Sequence, residues 1–405
     1  MKTPSAASSI DLATARTREA AHFLPVVSRL PLVLVEGRGS RVRDERGREL
    51  VDLTAGWGVT SIGHCHPALV EAIRDQAGRL MQTTNLYYTV PQLELLETFE
   101  RVLPRELSRS FVVNSGTEAM DGAIKLAHRA TGRARYVSTQ NSFHGRTIGA
   151  LRVSGQAKHR DPYKGLLPPA HIVPFGDLDA ARAAIDDETA AFVVEPVQGE
   201  GGVNVPPDGY LRGLREACSR HGAMFILDEI QTGIGRTGRM LALEHEGAMP
   251  DVVTLGKCLG GGFPVAAFLC TEAVAKTVQL GDHGGTYVGN PLACAAANAV
   301  VRVIEEEKLC ARAADLGGRL LAKLRAFAAE RADLCVEARG RGLLVGLELR
   351  DEKRAGAIPT RAIERGVLVN LTQGRVVRLF PALNIPEDEL FGALDVVLGL
   401  VTENA

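Results

Sequence analysis

Residues 224–231 read Met-Phe-Ile-Leu-Asp-Glu-Ile-Gln, and residues 252–257 read Val-Val-Thr-Leu-Gly-Lys. Each stretch begins with a mostly apolar run of four residues, which is typical of a short strand buried on both faces of a parallel sheet. The first run is followed by Asp228, and the second is followed by Gly256 and Lys257. Because ligands bind outside the carboxyl ends of parallel strands, we expect Asp228 and Lys257 to meet at one site.

Further apolar runs surround these two, at residues 111–113, 136–137, 172–173, 192–194 and 266–269. Amphipathic segments with helical spacing lie between several of them, at residues 118–130 and 210–221. Ser115 and Glu118 match a capping box at the start of the first helix, and Gly132 is a typical residue at its end. Strands that alternate with helices predict an α/β fold with a mostly parallel, seven-stranded sheet.

The two ends of the chain have a different pattern. Residues 30–56 show strands and glycine-marked turns, residues 294–330 are helical, and a final helix begins at about Glu387. Strands are predicted between these helices at residues 342–349, 367–370 and 376–380. We therefore expect one large central domain and a smaller α+β domain built from both termini. The predicted segments are 1–56 and 294–405 for the small domain and 57–293 for the large domain.

The composition excludes several classes of protein. The 405 residues suffice for two to three domains at ~150 residues each. The 47 basic and 48 acidic residues argue against a broad cationic surface for nucleic acid. No apolar run reaches the ~20 residues that span a bilayer. Residues 1–17 lack the apolar stretch of a secretory signal, but they are weakly basic, and a transit peptide is the alternative. Seven cysteines without a Cys-x-x-Cys pair are typical of free thiols in a reducing cytoplasm. We expect a cytoplasmic protein without nucleic-acid or membrane partners.

Polar residues follow the other predicted strands as well, at 114–117, 141–146, 195 and 198–202. Each candidate has an ordinary structural explanation when it is taken alone: residues 115–117 as a helix cap, Phe143 as core packing, Asp228 as a structural acid and Lys257 as a solvated lysine. Together they match one chemistry. A lysine forms a Schiff base with an aldehyde cofactor, an acid pairs with the ring nitrogen, and a helix N-terminus holds the phosphate. The set predicts pyridoxal 5'-phosphate (PLP) as the cofactor.

Two other motifs suggest different sites. Residues 233–238 have the GxGxxG spacing of a dinucleotide-binding loop, but residues 228–231 separate them from the preceding strand, which argues against that role. His64-Cys65-His66 resembles a pair of metal ligands, but no second Cys/His cluster has zinc spacing, so no metal is expected. A third alternative is a protein of this fold that has lost catalysis and acts as a binding partner. The joint presence of Lys257, Asp228, Glu195, Arg146 and Arg378 argues against it.

The motifs resemble those of the class III (ω-amino acid) aminotransferases of PLP fold type I. The stretches that carry the resemblance are Gly63–Pro67, Asn85–Tyr88, Asn141–Thr147, Glu195–Gly202 and Asp228–Gly238. The resemblance extends from about Leu30 to Ile385. It implies a large PLP-binding domain with a small α+β domain, and a homodimer with shared active sites. It also implies transfer of a terminal amino group from a small-molecule donor to 2-oxoglutarate.

The resemblance implies these cofactor-binding residues: Ser115, Gly116, Thr117, Phe143, His144, Asp228, Ile230, Gln231, Lys257 and Thr286. Lys257 would bond the cofactor and carry a proton, and Asp228 would bind the ring nitrogen. Phe143 and Ile230 would lie on the two faces of the ring, and Gln231 near its hydroxyl. Thr286 would reach the phosphate of the neighbouring subunit, which would make each site depend on the dimer.

The resemblance implies these substrate-binding residues: Trp57, Arg146, Glu195, Glu200, Gly285 and Arg378. Arg146 and Arg378 would bind carboxylates, since a guanidinium fork bonds both oxygens. Glu195 would be the switch residue. It would pair with Arg378 while a terminal amine enters, and release it for the acid of 2-oxoglutarate. With Asp228 and Lys257, Glu195 completes the predicted catalytic set.

Two positions depart from the family's pattern and bear on the amino donor. Gly285 stands where many acetylornithine-specific members have serine, and Trp57 stands where tyrosine or isoleucine is usual. The favoured donor is N2-acetyl-L-ornithine, which would give N-acetyl-L-glutamate 5-semialdehyde and glutamate in arginine biosynthesis. Ornithine, 4-aminobutyrate and lysine are the alternatives.

Overall fold

A computed structural model describes residues 10–403 of the chain. The strands of its central sheet are β4 Arg109–Val113, β5 Arg135–Thr139, β6 His171–Val173, β7 Thr189–Val194, β8 Met224–Asp228, β9 Val252–Leu255 and β10 Ala266–Cys270. Within the described residues, these seven strands lie in the order β4-β10-β9-β8-β7-β5-β6. Strand β10 is antiparallel to both of its neighbours, and the other pairs are parallel. The predicted seven-stranded, mostly parallel sheet is confirmed.

Helices α5 (Gly116–Thr131) and α9 (Tyr210–His221) pack on this sheet. The predicted capping box of α5 is present, because Ser115 Oγ accepts a hydrogen bond from the Glu118 N–H and the Glu118 carboxylate accepts one from the Ser115 N–H. Gly132 ends the helix with a φ of +69°, a conformation that glycine adopts without strain. The cap fixes the N-terminus of α5 directly after β4, at the edge of the sheet.

Two smaller sheets come from the flanks of the chain. The first contains β1 Leu34–Arg38, β2 Arg41–Asp44, β3 Glu49–Asp52 and β13 Val367–Leu368, and the second contains β11 Cys335–Arg341, β12 Leu344–Leu349, β15 Val376–Leu379 and β14 Asn370–Thr372. Strand β13 pairs in parallel with β3, Val367 opposite Val51 and Leu368 opposite Asp52. The first small sheet therefore joins strands from both ends of the chain.

The remaining helices are α1 Leu12–His22, α2 Ala55–Gly58, α3 Pro67–Ala77, α4 Val90–Val102, α6 Ile148–Val153, α7 Ala157–Arg160, α8 Leu178–Ala184, α10 Glu272–Ala275, α11 Pro291–Glu306, α12 Leu309–Glu330, α13 Glu352–Glu364 and α14 Glu387–Thr402. Short 3-10 helices occur at Asp161–Leu166, Ala242–His245 and Lys257–Gly260. The predicted final helix from Glu387 is confirmed by α14.

The second half of the chain differs from the prediction in four places. The predicted helix 294–330 is two helices, α11 and α12, because Lys308 between them has a φ of +52°. The predicted strand 367–370 is divided between two sheets, since the chain leaves β13 at Val369 and enters β14. Strand β11 and helix α13 were not predicted.

Element α2 is a left-handed turn. Its residues Ala55, Gly56, Trp57 and Gly58 have φ values of +43°, +57°, +62° and +79°. The N–H of Val59 donates to the Ala55 carbonyl at 2.8 Å, which closes the turn. A residue with a Cβ pays ~1–2 kcal/mol for this conformation, and such strain persists only where neighbouring structure holds it. The position of Trp57 is therefore set by its surroundings.

The core lies along the central sheet. Strands β7, β9 and β10 are buried over their whole length, which explains why they are mostly apolar. In residues 10–403 we find no helix that is long and apolar enough to cross a membrane. Residues 1–9 and 404–405 of the predicted segments, and with them part of the 1–17 stretch assessed for a secretory signal, lie outside the described residues.

Candidate active site

Three neighbouring strands of the central sheet deliver the predicted catalytic residues to one edge. Glu195 directly follows β7, Asp228 ends β8, and Lys257 follows β9 after one glycine. Because β7, β8 and β9 are adjacent and parallel, their carboxyl ends open on the same crevice. The structure brings these three side chains together, as the sequence predicts.

Asp228 is anchored by three hydrogen bonds. Its Oδ2 lies 2.6 Å from His144 Nδ1, and its Oδ1 accepts from Thr254 Oγ1 and from the Ile230 N–H, each at 3.1 Å. Thr254 stands opposite Asp228 in the β8–β9 register. On the far side of the imidazole, the buried Nε2 of His144 has no partner among the described residues. The buried carboxylate is therefore held in one orientation beside a histidine.

Lys257 begins a 3-10 helix with a φ of +41°. The conformation is unfavourable for a residue with a Cβ, and strain of this kind clusters at functional sites. Its Nζ lies 4.0 Å from Glu200 Oε1. Burial lowers the pKa of Lys257 below its usual value, although the charge of Glu200 opposes this change. A buried lysine of lowered pKa is a candidate nucleophile and proton carrier.

The N-terminus of α5 faces the same crevice. Glu118 Oε2 accepts from the N–H groups of Asn114 and Ser115. Among the described residues, the next two N–H groups, those of Gly116 and Thr117, have no acceptor, and such groups at a helix start favour an anion. A Cβ on Gly116 would lie 2.8 Å from Ile230 Cδ1. Ile230 therefore packs against the backbone of this helix start, which only a glycine allows.

Phe143 lies half-buried on the same edge of the sheet. Its N–H donates to Glu195 Oε2 at 3.2 Å, and its ring lies 5.7 Å from the guanidinium carbon of Arg146. Arg146 is exposed, and its Nη2 lies 3.4 Å from His159 Nε2. Burial and the Arg146 charge lower the pKa of His159, which favours the neutral imidazole. Arg146 thus presents a cation at the open side of the site.

Arg378 on β15 is a fully buried cation, and it pairs with Glu200. Its Nη1 donates to Glu200 Oε1 at 2.7 Å and to Gln231 Oε1 at 3.3 Å, and its Nε donates to Asn370 Oδ1 at 3.1 Å. Its Nη2 is buried without a partner among the described residues. Burial would raise the pKa of Glu200, but the charges of Arg378 and Lys257 outweigh it and lower this pKa to about 2.

The predicted pairing of Glu195 with Arg378 is wrong in this structure. Glu195 instead accepts the Phe143 N–H, and its pKa is raised by burial and by the charge of Asp228. The physical reason is position. Glu195 directly follows a central strand beside Asp228, whereas Glu200 lies five residues further along, in the turn that reaches β15.

The backbone of Glu200 is fixed by residues that were not predicted from the sequence. Its carbonyl accepts from Thr372 Oγ1 at 2.6 Å and from Gln373 Nε2 at 2.7 Å. Thr254 was also not predicted. It is the polar residue of the apolar strand Val-Val-Thr-Leu, and its hydroxyl donates to Asp228. Its interruption of the apolar run was the available signal. For Thr372 and Gln373 the sequence offers none, because their role depends on how two sheets meet.

Trp57, Gly285 and Thr286 lie on the surface of the single chain. Trp57 is 60% exposed at the left-handed turn α2. Thr286 is exposed, and its carbonyl accepts a hydrogen bond from Gln82 Nε2. Among the described residues, no hydrogen bond joins Thr286 to residues 115–117 of its own chain. Gly285 and Thr286 line a surface cavity of about 720 Å³ with the start of α5.

The GxGxxG stretch and the His64-Cys65-His66 motif have structural roles. Residues 233–238 form consecutive turns and open no helix, so they lack the strand–loop–helix geometry that a dinucleotide loop requires. His64 Nε2 lies 2.8 Å from Asp52 Oδ2, and His66 Nε2 lies 3.3 Å from Glu307 Oε1. These two histidines therefore face different carboxylates.

The site combines a lysine of lowered pKa, a fixed carboxylate, an anion-binding helix start and two arginines at separate places. Comparison with known proteins agrees with this inventory. Residues 24–398 match the family described as aminotransferase class-III. The chain is 48% identical to the acetylornithine aminotransferase of Methanopyrus kandleri, over 92% of this chain and 95% of that one.

Solved structures agree as well. An ornithine aminotransferase from Toxoplasma gondii, described with partial PLP occupancy, superposes with a TM-score of 0.92 at 33% identity, over 97% of this chain and 94% of that one. The acetylornithine aminotransferase of Elizabethkingia anophelis superposes with a TM-score of 0.85 at 31% identity, over 97% and 100%. The chain belongs to the class III aminotransferases, a PLP-dependent family of enzymes.

Proposed function

We propose that this enzyme transfers the terminal amino group of N2-acetyl-L-ornithine to 2-oxoglutarate, giving N-acetyl-L-glutamate 5-semialdehyde and glutamate in arginine biosynthesis. The observation that carries the proposal is the pair formed by the buried Arg378 and the partly buried Glu200, whose carboxylate also lies 4.0 Å from Lys257 Nζ. The similarity to several enzymes named acetylornithine aminotransferase, at 40–48% identity, supports this donor.

The residues of the crevice fit PLP. The free N–H groups of Gly116 and Thr117 suit its phosphate, Asp228 suits its ring nitrogen, and Ile230 offers an apolar face beside them. When bound, PLP supplies the electron sink that makes the carbon bearing the amino group acidic. With PLP bound, Lys257 Nζ would accept the proton from that carbon and later donate it again, and its lowered pKa favours the neutral amine that accepts a proton.

Other predicted cofactor residues act on these. His144 fixes the orientation of Asp228. Ser115 shapes the phosphate cradle as the cap of α5. We propose that Phe143, whose N–H donates to Glu195, covers the second face of the ring. Gln231 is held by its hydrogen bonds to Glu200 and Arg378, and we propose that it would lie near the ring hydroxyl.

The Arg378–Glu200 pair accounts for two substrates of different charge. In an ω-amine donor, the carbon next to the amine carries no carboxylate, so Arg378 has nothing to bind there, and Glu200 neutralises it. In 2-oxoglutarate, a carboxylate is attached to the reacting carbon, and it takes the place of Glu200 on Arg378. Arg146 at the open side binds the distal carboxylate of either substrate. We therefore assign the switch to Glu200 in place of Glu195.

Ornithine is the second candidate donor. Several solved structures of high similarity are described as ornithine aminotransferases. Gly285 and the exposed Trp57 are the positions at which this chain departs from the expected acetylornithine pattern, and both bear on the donor.

The deciding experiment mixes the purified holoenzyme with N-acetylornithine, ornithine, 4-aminobutyrate or lysine in a single turnover and follows the visible absorbance of the cofactor. We expect a rapid change with N-acetylornithine and slow changes with the other three. A rapid change with ornithine alone would replace the proposed donor and leave the transamination chemistry intact. Recovery of the original spectrum upon addition of 2-oxoglutarate tests the acceptor.

We also propose a homodimer in which Thr286 of one subunit completes the phosphate site of the other. Large apolar side chains are exposed before α4 in the single chain, among them Leu86 at 84% and Tyr88 at 93%, and a patch of this kind marks an interface. Mixing the variants Lys257→Ala and Thr286→Ala tests the arrangement. A shared site predicts regained activity in the mixed dimer, because one site then has both residues. A Thr286 that serves its own chain predicts none.

Two further inferences concern the cell and the chain. All seven cysteines are free, and six of them are at least partly buried, which supports a reducing compartment such as the cytoplasm.

The central sheet uses only strands between residues 109 and 270, which supports 57–293 as the large domain. Limited proteolysis between residues 270 and 335 tests this division.

A further inference from the structure

Arg236 is a buried cation that the proposed chemistry does not use. It lies in the GxGxxG stretch and is 0% exposed. Its Nη1 donates to the carbonyls of Leu343 at 3.1 Å and Pro381 at 2.6 Å, whereas Nε and Nη2 have no partner among the described residues. Removing a guanidinium from water without a carboxylate is costly, and buried polar groups are normally satisfied. Its burial calls for another compensation.

That compensation comes from two neighbouring side chains, those of Cys258 and Phe380. The guanidinium carbon of Arg236 lies 4.5 Å from the ring centroid, and the guanidinium carbon of Arg378 lies 5.3 Å from the same centroid. A cation over an aromatic face is attracted most strongly in a desolvated site. Arg236 therefore fixes Phe380 twice, through its ring and through the carbonyl of the next residue, Pro381.

Phe380 transmits this position to the substrate site. Residues 378 and 380 are two apart at the end of β15, so their side chains lie on the same face. The N–H of Phe380 donates to the Leu53 carbonyl at 2.8 Å, and a Cβ on Gly58 would lie 2.3 Å from its ring. The ring thus touches both Arg378 and the left-handed turn that carries Trp57.

We propose that Arg236 is a positioning residue for the acceptor, which sets the place of Arg378 through Phe380. The inference rests on the proposed function, because it takes Arg378 as the ligand of the acceptor's carboxylate. Arg378 is held by Glu200, Gln231 and Asn370 before the acceptor arrives. Once its pairing with Glu200 is broken, the Arg378 side chain is supported by Gln231, Asn370 and the Phe380 ring. Binding of the acceptor should therefore depend on Arg236 more than binding of the donor does.

The test is the affinity of the holoenzyme for glutarate, which has both carboxylates of 2-oxoglutarate and cannot react. Calorimetric titration is made with the wild type and the variants Arg236→Lys, Phe380→Leu and the double variant. Arg236→Lys keeps the charge and loses the planar fork, and we expect ~10-fold weaker glutarate binding, as the loss of a buried cation–π contact predicts. We expect the KM for the amino donor to change by less than ~2-fold, within the ordinary effect of a change outside the donor contacts.

The double variant decides whether Phe380 carries the effect. If it does, Arg236→Lys should weaken glutarate binding in the wild type and have almost no further effect in Phe380→Leu, since residues that act as a unit are non-additive. Equal effects in both backgrounds would overturn the inference. So would normal glutarate binding in Arg236→Lys.

Two more variants separate this role from others. Arg152→Lys is the matched control, because Arg152 also lies over an aromatic ring, Tyr136 at 4.6 Å, and also donates to backbone carbonyls. It should bind glutarate normally. Arg378→Ala tests the proposed function. Wild-type affinity for glutarate in Arg378→Ala would refute the role of Arg378 and the inference with it. Additive effects of Arg236→Lys and Phe380→Leu would refute the inference alone. Thermal unfolding and cofactor content identify any variant that fails to fold.

Discussion

Replacement of Glu200 by glutamine tests the proposed switch most directly. Three groups act on Glu200 Oε1: Arg378 Nη1 at 2.7 Å, Gln231 Nε2 at 3.0 Å and Lys257 Nζ at 4.0 Å. Together they outweigh burial and lower the pKa of Glu200 from 4.5 to about 2. At ~1.4 kcal/mol per pKa unit, a difference of about 2.5 favours the charged form by about 3 kcal/mol.

Glutamine keeps an oxygen that can accept from Arg378 but removes the negative charge. Since a charge-assisted hydrogen bond is about twice as strong as a neutral one, we expect about half of this energy, ~1.5 kcal/mol, to be lost. Arg378 then exchanges residue 200 for the carboxylate of 2-oxoglutarate more readily. The KM for 2-oxoglutarate should fall by ~10-fold. The KM for the amino donor should rise, because the donor must enter beside a buried cation that is no longer neutralised.

The assay measures both KM values at saturating concentration of the other substrate. Glu195→Gln is the informative comparison, because Glu195 lies in the same crevice but accepts the Phe143 N–H and does not pair with Arg378. Opposite changes of the two KM values should appear in Glu200→Gln only. If they appear in Glu195→Gln, or if both KM values rise together in Glu200→Gln, the switch is not Glu200. The lowered pKa also predicts a switch that stays charged at every pH above 4.5 and is lost only as the pH falls towards 2.

The remaining predictions concern the lysine, a buried acid and a close contact. Lys257→Ala should reduce single-turnover transamination by at least ~10³-fold, and near-normal rates would refute its role. Burial raises the pKa of Glu229 to about 7 although two N–H groups and a hydroxyl oppose this change. The folded state therefore retains a proton that the unfolded chain loses above pH 4.5, and stability falls as the pH rises from 4.5 to 7, by up to about 3 kcal/mol. Urea unfolding at pH 5 and pH 8 should show a smaller fall in Glu229→Gln, and an equal fall would contradict the assignment. Gly58→Ala should lower the melting temperature more than Gly47→Ala, because both glycines have a φ of +79° but only the first would place its Cβ 2.3 Å from Phe380. Equal decreases in melting temperature would show that the Phe380 ring moves aside to accommodate the added Cβ.

The sequence was sufficient to predict the part of the site that depends on strand ends. Asp228 and Lys257 follow apolar runs that pair in neighbouring strands, so their meeting follows from the order of the sheet. The same holds for the start of α5, because a capping box has a local signature. These features depend on residues close together in the chain, or on one regular sheet.

The choice between Glu195 and Glu200 as partner of Arg378 was beyond the sequence. Glu195 precedes a glycine-rich turn, and Glu200 lies within it. Only the way this turn meets β14 and β15 decides which carboxylate reaches the guanidinium of Arg378. The left-handed turn at Ala55–Gly58 was equally hidden, since two of its residues have side chains that disfavour the conformation. Long-range packing outweighs local preference at both places.

The parallel pairing of β3 with β13 has a consequence for the order of folding during synthesis. Roughly 300 residues separate the two strands, and at ~5–20 residues per second the ribosome needs on the order of tens of seconds to make them. During this time β3 is an open edge that another nascent chain can pair with. The cellular yield of this enzyme should therefore depend more on factors that shield the emerging N-terminal strands than on how tightly the large domain binds the cofactor.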